Sequence, residues 1–471
     1  MRGRRPINHL RQSKKGFLAQ IMFESTRTRV TLLLAGLLAP VTIVTGAQGA
    51  PPSSPPTAAA PAVAIVPFPN SLTEADAVRI GLARNPQSAA GQAGVAAAAA
   101  NYRSIAAFPS LNLGATHYAG SSPAPTLNGL TSDTVLDLGD TFDTSGQRRF
   151  QAAGARAQYN ATEYQLEETR LTLTQQIRDA YWSLAAARAQ TQIAQENLQD
   201  VQRVNQLTAV QLQAGSSPRV DVVRSGIDVV NAQQASISAR GAEQVALSAL
   251  NTLLARPPLA PVQLADSLAE TSVTPALFIN LPALPDLTRT AIANRPVVKA
   301  AQEQVAAADY TLKQTRAARY PDTSLDYQRS VQNSLQTVIV GLSVPIVDFG
   351  ANRNAIQSAD QAKKQAEFLL QQAQQQVAQQ SAQAYTDYTQ AEQLTAAYPA
   401  QILNPSETLL NMSEVGYKQG ATGILPVIDA ENTLRNARVG YINSLLALYR
   451  ARNEILAATG GLPSATAAAQ K

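Results

Sequence analysis

Residues 147–214 carry an apolar seam at alternating steps of four and three: Leu173, Ile177, Ala180, Leu184, Ala187, Thr191, Ala194, Leu198, Val201, Asn205, Thr208 and Leu212. The stretch contains no proline, so the pattern predicts one uninterrupted helix. At 1.5 Å per residue it would be on the order of 100 Å long. A rod of that length cannot be buried inside one ordinary globular domain. It needs other helices laid along it. The seam is a heptad diluted with small and polar residues. Aromatics make up 5% of the chain while Ala and Gln abound, a composition suited to close helix contact rather than a thick core.

The chain states its plan twice. LTEADAVRIGLARNP (72–86) is echoed by LPDLTRTAIANRP (284–296), and FPSLNLGATHY (108–118) by YPDTSLDYQRS (320–330). Gly146 and Arg149 fall 204 residues before Gly350 and Arg353, Tyr181 falls 204 before Tyr385, and Gly215 falls 205 before Gly420. The spacing differs in SSPAPTLNGLTSDT, which has the composition of a loop. Each copy therefore predicts helix, strand, loop, strand, long helix, tight turn, helix. The boundaries read as an export signal (1–49), a Pro-rich flexible leader (50–70), a first repeat (71–255), a connector (256–285), a second repeat (286–460) and a disordered tail (461–471). Shorter helices are expected at 75–107, 220–255, 286–319 and 424–458, with Ser71 or Thr73 as a cap for the first. The second long helix, about 351–419, carries Pro399 and Pro405, which should kink it.

Four segments alternate with the period of a strand: 110–118, 133–142, 323–332 and 336–345. Each has roughly the nine to eleven residues that a tilted membrane-spanning strand requires. A small soluble sheet capping the helices would show the same periodicity. After residue 50 no apolar run approaches the length of a spanning helix, so entry into a bilayer would have to use the strands. Four strands cannot span alone, because their edges leave backbone groups unpaired in hydrocarbon. Several chains would have to close one barrel. Pro345 would end ladder pairing, and Gly350 would allow the turn from sheet into helix. Pro109, Gly146 and Pro321 occupy the other strand–helix junctions, and Gly215 and Gly420 the helical turns.

Arg27 and Arg29 precede VTLLLAGLLAPVTIVTGAQGA, an apolar run ending in small residues, which reads as a secretory signal. A transmembrane anchor is the competing reading, opposed by Pro40. Eight of the 38 Lys/Arg and one of the 33 Asp/Glu lie in residues 1–50, leaving 30 against 32 and a formal charge of −2. The basic precursor is therefore no argument for a nucleic-acid partner. The chain has no Cys and two His, of which His9 lies in the signal. Catalysis, cofactors and metal sites find no constellation here, His117 being a lone strand residue.

Taken together, the PIVDFGANR junction, the FPSL and YPDTSL strand entries and GYKQGATGILPVIDAENTL resemble the TolC-like outer-membrane factor family, over about residues 71–460 and in both copies. The resemblance implies a mainly α fold with membrane β. A duplicated helix-strand-strand-helix-helix unit would build a trimeric twelve-stranded β-barrel that continues into a long periplasmic α-helical barrel. It implies a passive exit duct for a tripartite efflux or type I secretion system. The partners would be two further copies of the chain, a periplasmic adaptor, an inner-membrane pump and outer-membrane lipid. Residue by residue, Asp221 matches a gate aspartate, Tyr417 the tyrosine that pairs with it, and Asp429 one of two aspartates ringing the entrance. Pro426 replaces the other aspartate and Thr422 an arginine, so the closing network would lack its cation. Like charges gathered about a symmetry axis attract cations. Acids just after a turn also cap helices, so Asp221 and Asp429 could serve either purpose. A non-pore periplasmic coiled-coil spacer is the alternative for the whole chain, and the duplicated unit with bilayer-length strands speaks against it.

Overall fold

A computed structural model of the chain describes residues 68–107, 112–119, 132–215, 218–268, 278–330, 336–343, 349–419 and 421–460. They all belong to one unit, Val63–Lys471. The expected signal, most of the leader, the tail, Pro109, Pro345 and Gly420 lie outside the described residues.

The first copy runs α1 (Glu74–Arg84), α2 (Pro86–Ala106), β1 (Asn112–Ala119), β2 (Ser132–Phe142), α3 (Gln147–Gln213) and α4 (Arg219–Leu253). The second runs α5 (Leu284–Asn294), α6 (Pro296–Ala317), β3 (Asp322–Ser330), β4 (Gln336–Ser343), α7 (Ala351–Tyr398), a π turn (Pro399–Leu403), α8 (Asn404–Lys418) and α9 (Leu425–Ala458). The seam of α3 is an unbroken helix of 67 residues. Leu173, Ile177, Leu184, Ala187, Thr191, Val201 and Thr208 are buried along it.

The helices expected at 75–107 and 286–319 are each two helices. Asn85 and Arg295 precede prolines, and a proline ring pushes the preceding residue out of the helical region. Both residues sit at extended angles (φ −67°, ψ 130° and φ −60°, ψ 125°), with the proline opening the next helix. Thr73 caps α1, its Oγ1 accepting from the Asp76 N–H at 3.1 Å. Asn85 caps α2 through Oδ1 and donates its amide to Leu253 O at 3.0 Å. Arg295 instead reaches Ala457 O and the Glu168 carboxylate, tying α6 to α9 and α3.

The core gathers where both copies meet around the middle of α3. Tyr181, Trp182, Tyr388, Tyr441 and Leu445 are buried there with Ile80, Leu250 and Leu254. The Tyr181 hydroxyl donates to Asp266 at 2.7 Å and lies 3.0 Å from Leu72 O, pinning the connector, whose Leu264 forms a parallel bridge with Leu72 ahead of α1. The repeat aligns Tyr181 with Tyr385, yet the fully buried tyrosine of α7 is Tyr388, whose hydroxyl accepts from the Ile279 N–H at 2.6 Å.

The strands form one antiparallel sheet in the order β1-β2-β3-β4. Direct cross-strand partners share a face. One face carries the row Leu113, Leu138, Tyr327, Val338, flanked by Leu136 and by Leu325 with Val340. Leu113 and Val340 are each 76% exposed. The other face carries the row Gly114, Asp137, Gln328, Thr337, with Asp326 opposite Gly139 and Ser324 opposite Gly341. A Cβ on any of these three glycines would collide with the polar side chain across from it. The sheet thus has a mainly apolar exposed face, with Arg329 and Gln336 beside Leu136 at one end, a mainly polar face and two edge strands.

Candidate functional site: the helical tip and the strand–helix junctions

Gly146 and Gly350 begin the two long helices, each left-handed at φ 79° and 87°. The sharp change from strand to helix needs that conformation, which costs an L side chain roughly 1–2 kcal/mol. In the first copy Asp143 completes the junction. Its carboxylate accepts from the Ser145 hydroxyl at 2.6 Å and from the Arg148 N–H. Burial pushes the Asp143 carboxyl up, but the Ser145 hydroxyl and the N–H groups of Arg148, Gln147 and Gly146 outweigh it and hold it below the usual range. Thr144 donates to Pro321 O at 2.8 Å, fastening this junction to the start of β3. In the second copy Phe349 precedes the glycine, itself left-handed at φ 47° and 98% exposed.

At the opposite end of the long helices, Gly215 turns at φ 75° between α3 and α4. Asp221 lies in the first turn of α4, half-buried, and Asp429 is an exposed residue of α9. Neither is an N-cap: those positions are Pro218 and Ile424. Asp221, in the first turn of α4, still complements the helix dipole, whereas Asp429 lies beyond the first turn of α9. The Tyr417 hydroxyl bonds the Gln211 side chain, joining α8 to α3. Thr422 and Pro426 are exposed. The second turn closes when the N–H groups of Ala421 and Thr422 donate to Gly416 O at 2.9 and 3.3 Å. An apolar patch of Ile424, Val427 and Ile428, with Val204, Leu410 and Tyr417 against it, cements the two hairpins.

Two acids that sequence spacing did not single out sit beside this patch. Glu431 lines grooves shared with Asp200 and Glu414 on one side and Asp228 on the other. Burial, reinforced by Asp200, Glu414 and Asp228, pushes its carboxyl up to about 7. Asp228 is raised by burial and by Asp429. Their signal in the sequence was weak, since a charged residue on a helix usually faces solvent. Among the described residues no cluster of His, Cys, Asp and Glu could hold a metal ion, and no helix is long and apolar enough to cross a membrane.

A duplicated unit with one lipid-suited sheet and long paired helices has clear counterparts. The sequence matches the family of outer membrane efflux proteins over residues 78–256 and 287–461. The chain belongs to this family. It is 28% identical to the cation efflux system protein CusC of Escherichia coli K12 over 74% of this chain and 77% of that protein. It is 24% identical to the cobalt-zinc-cadmium resistance protein CzcC of Cupriavidus metallidurans over 71% and 80%. It is 27% identical to protein CyaE of Bordetella pertussis over 84% and 86%. The fold matches the solved CusC channel with a TM-score of 0.73 at 22% identity, covering 83% of this chain and 92% of that one. It matches the outer membrane protein VceC of Vibrio cholerae with a TM-score of 0.71 at 18% identity, covering 82% and 96%. The protein is thus an outer-membrane efflux channel with a helical tunnel reaching into the periplasm, a conduit and not an enzyme. Its relatives are outer components of tripartite efflux systems, which implies an adaptor and an inner-membrane pump as partners.

Proposed function

We propose that three copies close one duct. The carrying observation is the four-stranded sheet, whose apolar face suits lipid and whose edges β1 and β4 have no partner strand among the described residues. Two copies would give eight strands, an interior that side chains fill; three give twelve, wide enough for water. The helices also leave a surface for a neighbouring copy. Along α4, Val220, Val223, Ile227, Val230, Ile237 and Val245 form an exposed apolar stripe at close to heptad spacing. Such a stripe calls for a neighbouring helix.

In this reading residues 1–49 are the export signal and 50–70 the leader. Residues 71–255 and 286–460 are the two repeats, joined through 256–285 and followed by the tail 461–471. The sheet's polar face, with Asp137, Asp326, Gln328 and Ser324, lines the lumen. The tip with Asp221, Tyr417, Asp429, Thr422 and Pro426 forms the periplasmic entrance. Without an arginine at Thr422, the entrance is held by the apolar patch and the Tyr417–Gln211 bond. The relatives' names span cation efflux, cobalt-zinc-cadmium resistance and pyoverdine export, and the lumen residues are generic polar groups. The duct therefore passes what its pump delivers. Reconstitution in planar bilayers tests this. Discrete ion-conducting steps are expected, with cation preference weakened by Asp429→Asn. A membrane-inserted protein that conducts nothing would overturn the reading.

A further inference from the structure

The two copies keep one register along their long helices and then change it. Buried positions correspond at a spacing of 204: Leu173 with Val377, Ile177 with Ser381, Leu184 with Tyr388, Ala187 with Ala391 and Thr191 with Thr395. From there to the tip and back the spacing is 205: Val201 with Ser406, Ser225 with Ala430, Ala232 with Ala437 and Leu250 with Ile455. The second copy therefore holds one extra residue between Thr395 and Ser406. That interval contains the π turn Pro399–Leu403, where the Asn404 N–H donates to Pro399 O, five residues back. A π turn lets a helix absorb a single insertion and keep the faces beyond it in register. Pro399 and Pro405 bracket the turn, and each lacks the N–H that an α-helix would use.

We infer that this turn is a pivot: α8 changes its angle to α7 about Pro399–Leu403, while α3, its counterpart, stays one rod. The surroundings fit a lever. Just before the turn α7 is fixed to α9. The Thr395 hydroxyl donates to Ser444 O at 3.1 Å, and Tyr398 lies so close over Gly440 that a Cβ there would collide with the phenol. Beyond the turn, α8 buries Ser406 alone among its residues and exposes Leu409, Met412 and Val415. Its far end is held by the Tyr417–Gln211 bond and the patch around Ile424. Releasing that end lets α8 swing without unfolding α7. The consequence for the tunnel entrance rests on the duct reading; the pivot itself does not.

Hydrogen exchange on the full-length protein in detergent tests the pivot directly. Peptides covering 399–406 should exchange at least about tenfold faster than those covering 195–201 of α3, because local opening reports local stability. Equal protection would overturn the inference. A second measurement uses the variant with Ala400 deleted and Pro399→Ala and Pro405→Ala, which gives α7–α8 the residue count of α3. Protection across 399–406 should rise to that of 195–201; a variant that exchanges there as fast as the parent would also overturn it. Fast exchange in a protein that conducts no ions would retain the pivot and remove the duct.

Discussion

The indole of Trp182 stacks on the phenol of Tyr449, with ring centroids 3.6 Å apart and planes 18° from parallel. The pair joins α3 of the first copy to α9 of the second at the centre of the core. Trp182→Ala should destabilise the fold by roughly 3–5 kcal/mol, the usual cost of emptying a large aromatic site. Trp182 is the chain's single tryptophan, so its fluorescence gives the unfolding curve of the parent. Circular dichroism on both proteins gives the difference.

Glu431 makes the tip sensitive to pH. Its carboxyl is raised from 4.5 to about 7, so the folded tip prefers the protonated form. Stability from this group is present below the unfolded value and is lost as pH rises from about 4.5 through about 7. After discounting for partial exposure the loss is on the order of 1 kcal/mol. Protection factors of residues 424–435, which remove the base-catalysed rise in intrinsic exchange, should fall between about pH 5 and about pH 8, and Glu431→Gln should flatten that profile. A parent profile already flat would remove the group from the account.

Gly146 and Gly350 test the junctions. A Cβ at either meets nothing within 4 Å, so any cost of Gly→Ala is backbone strain alone. Each substitution should cost roughly 1–2 kcal/mol. Gly241→Ala is the control. That glycine is helical with open space around it, and alanine there should stabilise by roughly 0.5–1 kcal/mol. Thermal melts in detergent separate the two signs.

The two faces of β4 should respond differently to charge. Val340→Lys places an ammonium on the lipid-suited face and should cost roughly 2–4 kcal/mol if it lies near mid-membrane. Thr337→Lys, on the polar face, should leave membrane insertion intact. Comparable losses from both would contradict the assignment of faces.

Much of this architecture was legible beforehand. Duplication, seam and strand alternation are one-dimensional patterns, and the α3 helix lies where the seam placed it. The jump from 204 to 205 already recorded the π turn. The breaks at Asn85 and Arg295 follow from the prolines after them, whose effect on the preceding residue outweighs the helical periodicity. What stayed hidden depends on how helices rotate against one another. Tyr388 rather than Tyr385 is fully buried, Tyr417 finds Gln211, and Glu431 and Asp228 meet other acids across the hairpins. None of these partners is close in sequence, so spacing alone could not bring them together.

The central claim is that one chain cannot close its own sheet. Native mass spectrometry of the export-processed protein, released gently from detergent, measures this most directly. The account predicts a complex of three chains. A single chain as the sole folded species would contradict it.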